Sequence, residues 1–174
     1  MTLYDQLPQR RILEVIISGG QTGADQGALD AALELGHPCG GWCPKDRKSE
    51  AGRIPDKYPV QEHTSADYPA RTEANVVGSD GTLIFSYGKP TGGTSLTVDM
   101  AIRHEKPFYV FDLDYDPLNR DLEFIWEWGL GSDVYVLNVA GPKESGKPGT
   151  QDLVKTVMLM LLEYARKCYG VASD

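Results

Sequence analysis

Four short, nearly continuous apolar runs constrain this chain most: residues 12–18, 82–86, 108–113 and 134–139, each rich in Val, Ile, Leu, Phe and Tyr. A strand with one wet face alternates apolar and polar residues. A strand covered on both faces does not, and reads as an unbroken apolar run, as in a parallel sheet. Between the runs the spacing becomes helical. Residues 24–35 carry Ala28, Leu29, Ala32, Leu33 and Leu35, with Gly36 suited to a left-handed cap and Pro38 barring continuation. Residues 94–104 end in Arg103 and His104, cations at the negative end of the helix dipole, before Pro107 opens the next strand. Residues 68–77, 119–129 and 151–169 supply the remaining helices, and a piece around residues 39–43 a further short strand. Alternation of strand and helix predicts one α/β domain over residues 1–174, a three-layer αβα fold around a mostly parallel, doubly wound sheet. Residues 1–10 are expected to form a flexible N-terminal tail.

Charge narrows the partners. With 17 Lys and Arg against 25 Asp and Glu, the chain carries −8 at neutral pH, which disfavours nucleic acid or an anionic membrane. The longest fully apolar run, residues 157–162, is six residues, far short of the roughly 20 that span a bilayer. The first eleven residues are polar and lack the apolar core of a signal peptide. Three cysteines make no disulfide framework, so a reducing cytoplasm is the expected compartment.

Three loops after strands carry the chemistry, and in open α/β sheets that edge binds ligands. The first is Ser18-Gly19-Gly20-Gln21-Thr22-Gly23-Ala24-Asp25. Its glycines permit tight turns and close backbone approach, and the following helix start offers free N–H groups to an anion. The plainer alternative is a tight turn with Asp25 as a first-turn acid. The second loop, Gly88-Lys89-Pro90-Thr91-Gly92-Gly93-Thr94-Ser95-Leu96-Thr97, repeats this context with added hydroxyls. The third, Gly141-Pro142-Lys143-Glu144-Ser145-Gly146-Lys147-Pro148, matches Gly-x4-Gly-Lys but has Pro148 where a P-loop needs a Mg²⁺-binding hydroxyl. It is read either as a further anion contact or as a solvated basic loop. The first loop also lacks the Gly-x-Gly-x-x-Gly dinucleotide fingerprint and its downstream acid.

The connection over residues 44–67 has Pro44, Pro55 and Pro59 and no clear period. Within it Lys45, Arg47, Lys48, Arg53 and Lys57 outnumber Asp46, Glu50 and Asp56. On an acidic body such a loop is expected to steer a small anion, unless it is ordinary surface charge. Cys39 and Cys43 lack the second ligand pair of a zinc site, and His63 and His104 have no Gly-x-Ser-x-Gly partner. No metal site is expected. The apolar surface of the last helix is read as buried either deep in one core or between the sheet and a second subunit.

In this order, Ile17-Ser18-Gly19-Gly20-Gln21-Thr22-Gly23-Ala24-Asp25, Arg71-Thr72-Glu73-Ala74-Asn75-Val76, Ser79-Asp80-Gly81-Thr82, Gly92-Gly93-Thr94 with Leu96-Thr97, and Gly141-Pro142-Lys143-Glu144-Ser145 resemble the molybdenum cofactor carrier proteins. That family is a branch of the Rossmann-like superfamily shared with the Lonely Guy phosphoribohydrolases. The resemblance implies a homo-oligomer, dimer or tetramer, that binds, protects and carries molybdenum cofactor, a phosphorylated pterin, for molybdoenzyme recipients. The expected ligand-binding residues are Gly19, Gly20, Gln21, Thr22, Gly23, Asp25, Arg71, Asn75, Gly92, Gly93, Thr94, Ser95, Lys143 and Ser145, with Arg71 and Asn75 pointing into the crevice. Two other readings stand beside it. One is a nucleoside 5′-monophosphate phosphoribohydrolase using Arg71 and Asp99; the other is a nucleotide-sensing module. The hydrolases resemble Pro-Gly-Gly-x-Gly-Thr-x-x-Glu at the second loop, whereas Asp99 stands here at the glutamate position. Its shorter side chain favours a non-catalytic carrier over an enzyme.

Overall fold

The structure is a computed structural model that describes residues 11–119 and 122–170. The predicted N-terminal tail at 1–10 lies outside the described residues. In chain order the elements are β1 (Val15–Ile17), α1 (Ala24–Glu34), β2 (Cys39–Gly40), β3 (Trp42–Cys43), a 3₁₀ turn (Lys45–Arg47), β4 (Lys48–Ser49), β5 (Gly52–Arg53) and β6 (Gln61–Glu62). They continue with α2 (Tyr68–Val77), β7 (Gly81–Ser86), α3 (Gly92–Arg103), β8 (Phe108–Asp112), α4 (Glu123–Gly131), β9 (Val136–Ala140) and α5 (Thr150–Cys168).

The central sheet has the order β2-β1-β9-β7-β8, and every neighbouring pair is parallel. Val15 pairs with Val136, Leu83 with Val139 and Ile84 with Val110. All six residues of β7 are buried, which is the physical reason its sequence does not alternate. The main core joins Ile16, Leu83, Phe85 and Leu137 of the sheet to Ala28 of α1, Ile125 of α4 and Val157, Met158 and Leu161 of α5. Val76 of α2 packs with Met100 and Ala101 of α3 in a separate cluster. The Rossmann-like three-layer expectation is met. Val154, Val157, Met158, Leu161 and Leu162 of α5 are buried in this core.

Local differences have local causes. The first strand is shorter than its apolar run because Leu13 takes a left-handed conformation (φ 57°). The third helix starts at Gly92, before the predicted Thr94. The fourth runs Glu123–Gly131, and residues 120–121 of its predicted span lie outside the described residues. Gly36 adopts the expected left-handed conformation (φ 58°) after α1.

The connection over 44–67 is not structureless. Arg47 donates to the carbonyls of Ile54, Val60, Pro55 and Tyr58 at 3.1, 2.9, 2.9 and 2.9 Å. Ile54, Tyr58 and Val60 close with Leu29 and Cys43 into a small second core. Order there comes from one cation gathering carbonyls, which no sequence period records. Among the described residues no helix is long and apolar enough to cross a membrane.

Candidate functional site

Because β1 and β7 flank β9 and run parallel to it, the loops that follow the three strands meet at one edge. There they border a cleft of about 540 Å³. Gln21 reaches it from the first loop, Ser86, Tyr87, Lys89 and Thr91 from the second, and Ala140, Gly141, Lys143 and Lys147 from the third. Tyr68, Arg71 and Thr72 of α2 and Gly92, Gly93, Thr94, Leu96 and Thr97 of α3 complete the wall with Asp25 and Glu50.

An ion pair lies against this cleft. Arg71 Nη1 donates to Asp25 Oδ2 at 3.2 Å, with the two side chains 13% and 5% exposed. Burial pushes the Asp25 carboxyl above its ordinary value, against the opposing pull of Arg71 and of the Gln21 N–H. Gly19 makes this arrangement possible: a Cβ there would come within 1.6 Å of Arg71 Nη1 and 2.9 Å of Asp25 Oδ2. Gly19 thus seats the guanidinium. The Arg71 Nε is buried without a hydrogen-bond partner among the described residues, and the ring of Tyr68 lies 5.8 Å from the guanidinium carbon.

The first and third loops are fastened to each other. Ala24 N–H donates to Pro142 O at 3.0 Å. A Cβ on Gly23 (φ 81°) would meet that oxygen at 2.3 Å. Thr22 Oγ1 accepts from Glu144 N–H at 3.3 Å. The Glu50 carboxylate bridges the same loops, accepting from Thr22 Oγ1, from Ser145 Oγ and from Ser145 N–H at 3.0 Å. Lys143 Nζ lies 3.6 Å from it. These hydroxyl donors, with the Ser145 N–H and Lys143, lower the Glu50 pKa to about 2. Gln21 Oε1 accepts from Thr22 N–H and Glu50 N–H, both at 3.0 Å.

On the opposite wall Gly92 and Gly93 begin α3, and a Cβ on either would meet nothing within 4 Å. The first turn of a helix has N–H groups without intrahelical partners, so here backbone donors front an open space. Lys89 precedes them without an ion-pair partner among the described residues, and Lys147 Nζ stands 4.7 Å over the Tyr87 ring.

Of the predicted residues, Gln21, Asp25, Arg71, Gly92, Gly93, Thr94 and Lys143 line the cleft, whereas Gly19, Gly20, Thr22, Gly23, Asn75, Ser95 and Ser145 do not. Gly20 faces Ile54 and Val60. Asn75 does not point into the crevice as expected. It is buried, and its amide accepts from Trp42 N–H and donates to Trp42 O, both at 2.8 Å, so both polar ends tie α2 to β3. Asp99 is exposed on α3 and is absent from the lining. The basic loop does not bring its cations to the cleft. Arg47 holds carbonyls, Arg53 pairs with Asp56 at 2.5 Å and Lys57 with Asp30 at 2.9 Å. None of the loop's five cations lines the cleft; its contribution there is Glu50.

Sequence reasoning missed Glu50, Tyr68, Tyr87, Lys89 and Lys147 as site residues. Lys89 and Lys147 sit inside the motifs already singled out, so their positions beside the loop glycines were the available signal. Four cations, Arg71, Lys89, Lys143 and Lys147, thus face two carboxylates that are already partnered. The cleft is cationic in a chain of net charge −8. Among the described residues no group of three or more His, Cys, Asp or Glu could hold a metal ion.

Comparison with known proteins agrees with this architecture. Residues 16–162 match the family described as the circularly permutated YpsA SLOG family. A solved structure named "Putative molybdenum carrier protein", from Syntrophus aciditrophicus SB, is 41% identical in sequence. The match covers 88% of this chain and 98% of that one, with a TM-score of 0.84. No curated protein matches the chain.

Proposed function

The chain belongs to the circularly permutated YpsA SLOG family, and on that footing we propose that it binds and carries molybdenum cofactor, a phosphorylated pterin, in the cleft at the carboxyl edge of its sheet. The single observation that carries this reading is the cationic lining, Arg71, Lys89, Lys143 and Lys147, set in an acidic chain. Such a lining concentrates and holds an anion. The name of the 41%-identical structure supports the choice of anion.

The residues fit such a cargo. The open start of α3 at Gly92 and Gly93, with Lys89 beside it, offers backbone N–H groups and a charge to a phosphate. Tyr68, Tyr87 and Leu96 offer flat and apolar surface to a ring system. Arg71 is held in place by Asp25 and Gly19, so its guanidinium meets an anionic group without first being ordered. A carrier needs only this ground-state binding. Nothing specialised for a transition state is required, and Asp99, the acid a hydrolase would need, stands outside the lining.

We further propose that the protein is a homo-oligomer delivering to molybdoenzymes in the cytoplasm. Exposed Ile102 of α3 (60%), Phe124 and Leu130 of α4 and Val77 of α2 support self-association, and three free thiols suit a reducing compartment.

The test purifies the protein from a host that makes the cofactor. Native mass spectrometry is expected to find one bound ligand per chain, and oxidation of the released material to give a fluorescent pterin phosphate. Protein free of pterin from that host would refute the reading. A parallel incubation with AMP and GMP is expected to release no free base. Multiple-turnover release that disappears in Asp99→Asn would replace the carrier with the hydrolase.

A further inference from the structure

One carboxylate occupies donors that an anionic ligand in this cleft would seek. Glu50 sits at the turn of the two-residue-per-strand hairpin β4–β5, where Lys48 pairs with Arg53 and Ser49 with Gly52. Its side chain is 18% exposed although the residue belongs to an exposed turn. The carboxylate accepts from Thr22 Oγ1, Ser145 Oγ and Ser145 N–H and draws Lys143 Nζ to 3.6 Å. Two hydroxyls, one backbone N–H and one ammonium, from two loops on neighbouring strands, converge on a single anion. That set of donors is the kind that holds a phosphate.

The hairpin is fixed at its roots and carried at its tip. Arg47 and Ile54 bracket it: Arg47 is tied to four carbonyls and Ile54 is fully buried in the second core. Between them, Ala51, Gly52 and Arg53 are exposed. The tip's polar contacts with the loops of the cleft run through Glu50, by its carboxylate and by its N–H to Gln21 Oε1. Glu50 and the cleft lining are continuous, since Glu50, Gln21 and Lys143 all border the same space.

We infer that the β4–β5 hairpin is a latch: the Glu50 carboxylate stands in for an anionic group of the ligand, and that group binds by displacing Glu50 from Thr22, Lys143 and Ser145. The inference rests on the anion-binding reading of the cleft but not on the ligand being a pterin. Two like charges cannot share these donors, so binding and latching exclude each other. Release therefore comes by competition. Protonation does not open the latch near neutral pH, because the same donors keep Glu50 ionised far into acid.

The probe is inorganic pyrophosphate, titrated by calorimetry into wild-type protein, Glu50→Gln and Glu50→Ala. Removing the competing charge is expected to tighten pyrophosphate binding in both variants by about ten-fold, the scale of one charge-assisted hydrogen bond. Equal or weaker binding in both would overturn the latch, as would no binding by either, since a vacated cradle must accept an anion. A measurement on wild-type protein covers the case in which a variant fails to fold. In hydrogen exchange, pyrophosphate is expected to speed exchange over residues 48–53 while slowing it over 19–23 and 143–146. Unchanged or slowed exchange over 48–53 would refute the displacement. Protein that lacks pterin but shows this exchange pattern would fail the cofactor reading alone. Protein that carries pterin with the hairpin still closed would fail the latch alone.

Discussion

Gly19→Ala tests the construction of the site most directly. The new Cβ would lie 1.6 Å from Arg71 Nη1 and 2.5 Å from Cζ, so the guanidinium must leave its seat. Arg71 is long and borders the open cleft, and the Asp25 carboxylate, 2.9 Å from the new Cβ, need give only slightly, so side-chain movement relieves both contacts without moving the backbone. The cost is therefore the 3.2 Å charged hydrogen bond to Asp25, about 2 kcal/mol for a largely buried pair. Arg71→Gln removes the same bond and shortens the side chain, and is expected to cost a similar about 2 kcal/mol. The two changes act on one contact. Gly19→Ala with Arg71→Gln should then cost far less than the sum, with a coupling of about 1–2 kcal/mol. Urea unfolding followed by circular dichroism measures all four corners of the cycle, with the denaturant slope unchanged as the check on two-state behaviour. Additive losses, or a Gly19→Ala protein within about 0.5 kcal/mol of wild type, would refute the seating of Arg71 by Gly19.

Gly93→Ala should do the reverse: its Cβ meets nothing within 4 Å, so the variant is expected to gain about 0.4–1 kcal/mol of stability, while pyrophosphate affinity falls as the backbone at the start of α3 is covered; both are read from urea melts and calorimetry. Glu50 is held at about 2, below its ordinary 4.5. A depressed carboxyl contributes stability above its unfolded value and loses it as pH falls through the folded one, so acid titration should show a loss between about pH 4.5 and 2 that Glu50→Gln flattens. Arg47→Lys cannot span carbonyls of Ile54, Pro55, Tyr58 and Val60 with one ammonium; it should cost about 2 kcal/mol and speed hydrogen exchange over residues 54–60 without altering that of β7 or β9.

The sheet was legible because burial on both faces leaves a mark in the sequence. Residues 82–86 and 108–113 carry no polar alternation, and the structure buries all of β7 against helices on either side. Helix limits were legible where a residue enforces them. Tyr68–Val77 matches its prediction at both ends, and Gly36 turns the chain after α1. The connection over 44–67 was not legible. Its order depends on Arg47 meeting four carbonyls and on Leu29 and Cys43 supplying part of a core from outside the segment. Periodicity reports faces of regular elements, and here the organising contacts are between a side chain and irregular backbone.

The same distinction governs the site. Glycine loops after strands were readable because their chemistry is in the backbone, and Gly92 and Gly93 do front the cleft. Charge was less legible, because a count of cations does not say which are already engaged. Arg53 and Lys57 face Asp56 and Asp30, and Arg47 is turned to carbonyls. At the cleft, Arg71 and Lys143 face Asp25 and Glu50, and the excess of two positive charges belongs to Lys89 and Lys147, from separate loops. Asn75 was misread for the related reason that a polar residue on a helix near a cleft has more than one neighbour. Its amide matches the backbone of Trp42, donor to acceptor and acceptor to donor, and a buried polar group is fixed by the partner that satisfies it. Glu50 inverts the expectation altogether: an acid in a loop read as basic is the group that reaches the anion donors. Only the fold brings Thr22 and Ser145, 123 positions apart in the chain, to one carboxylate.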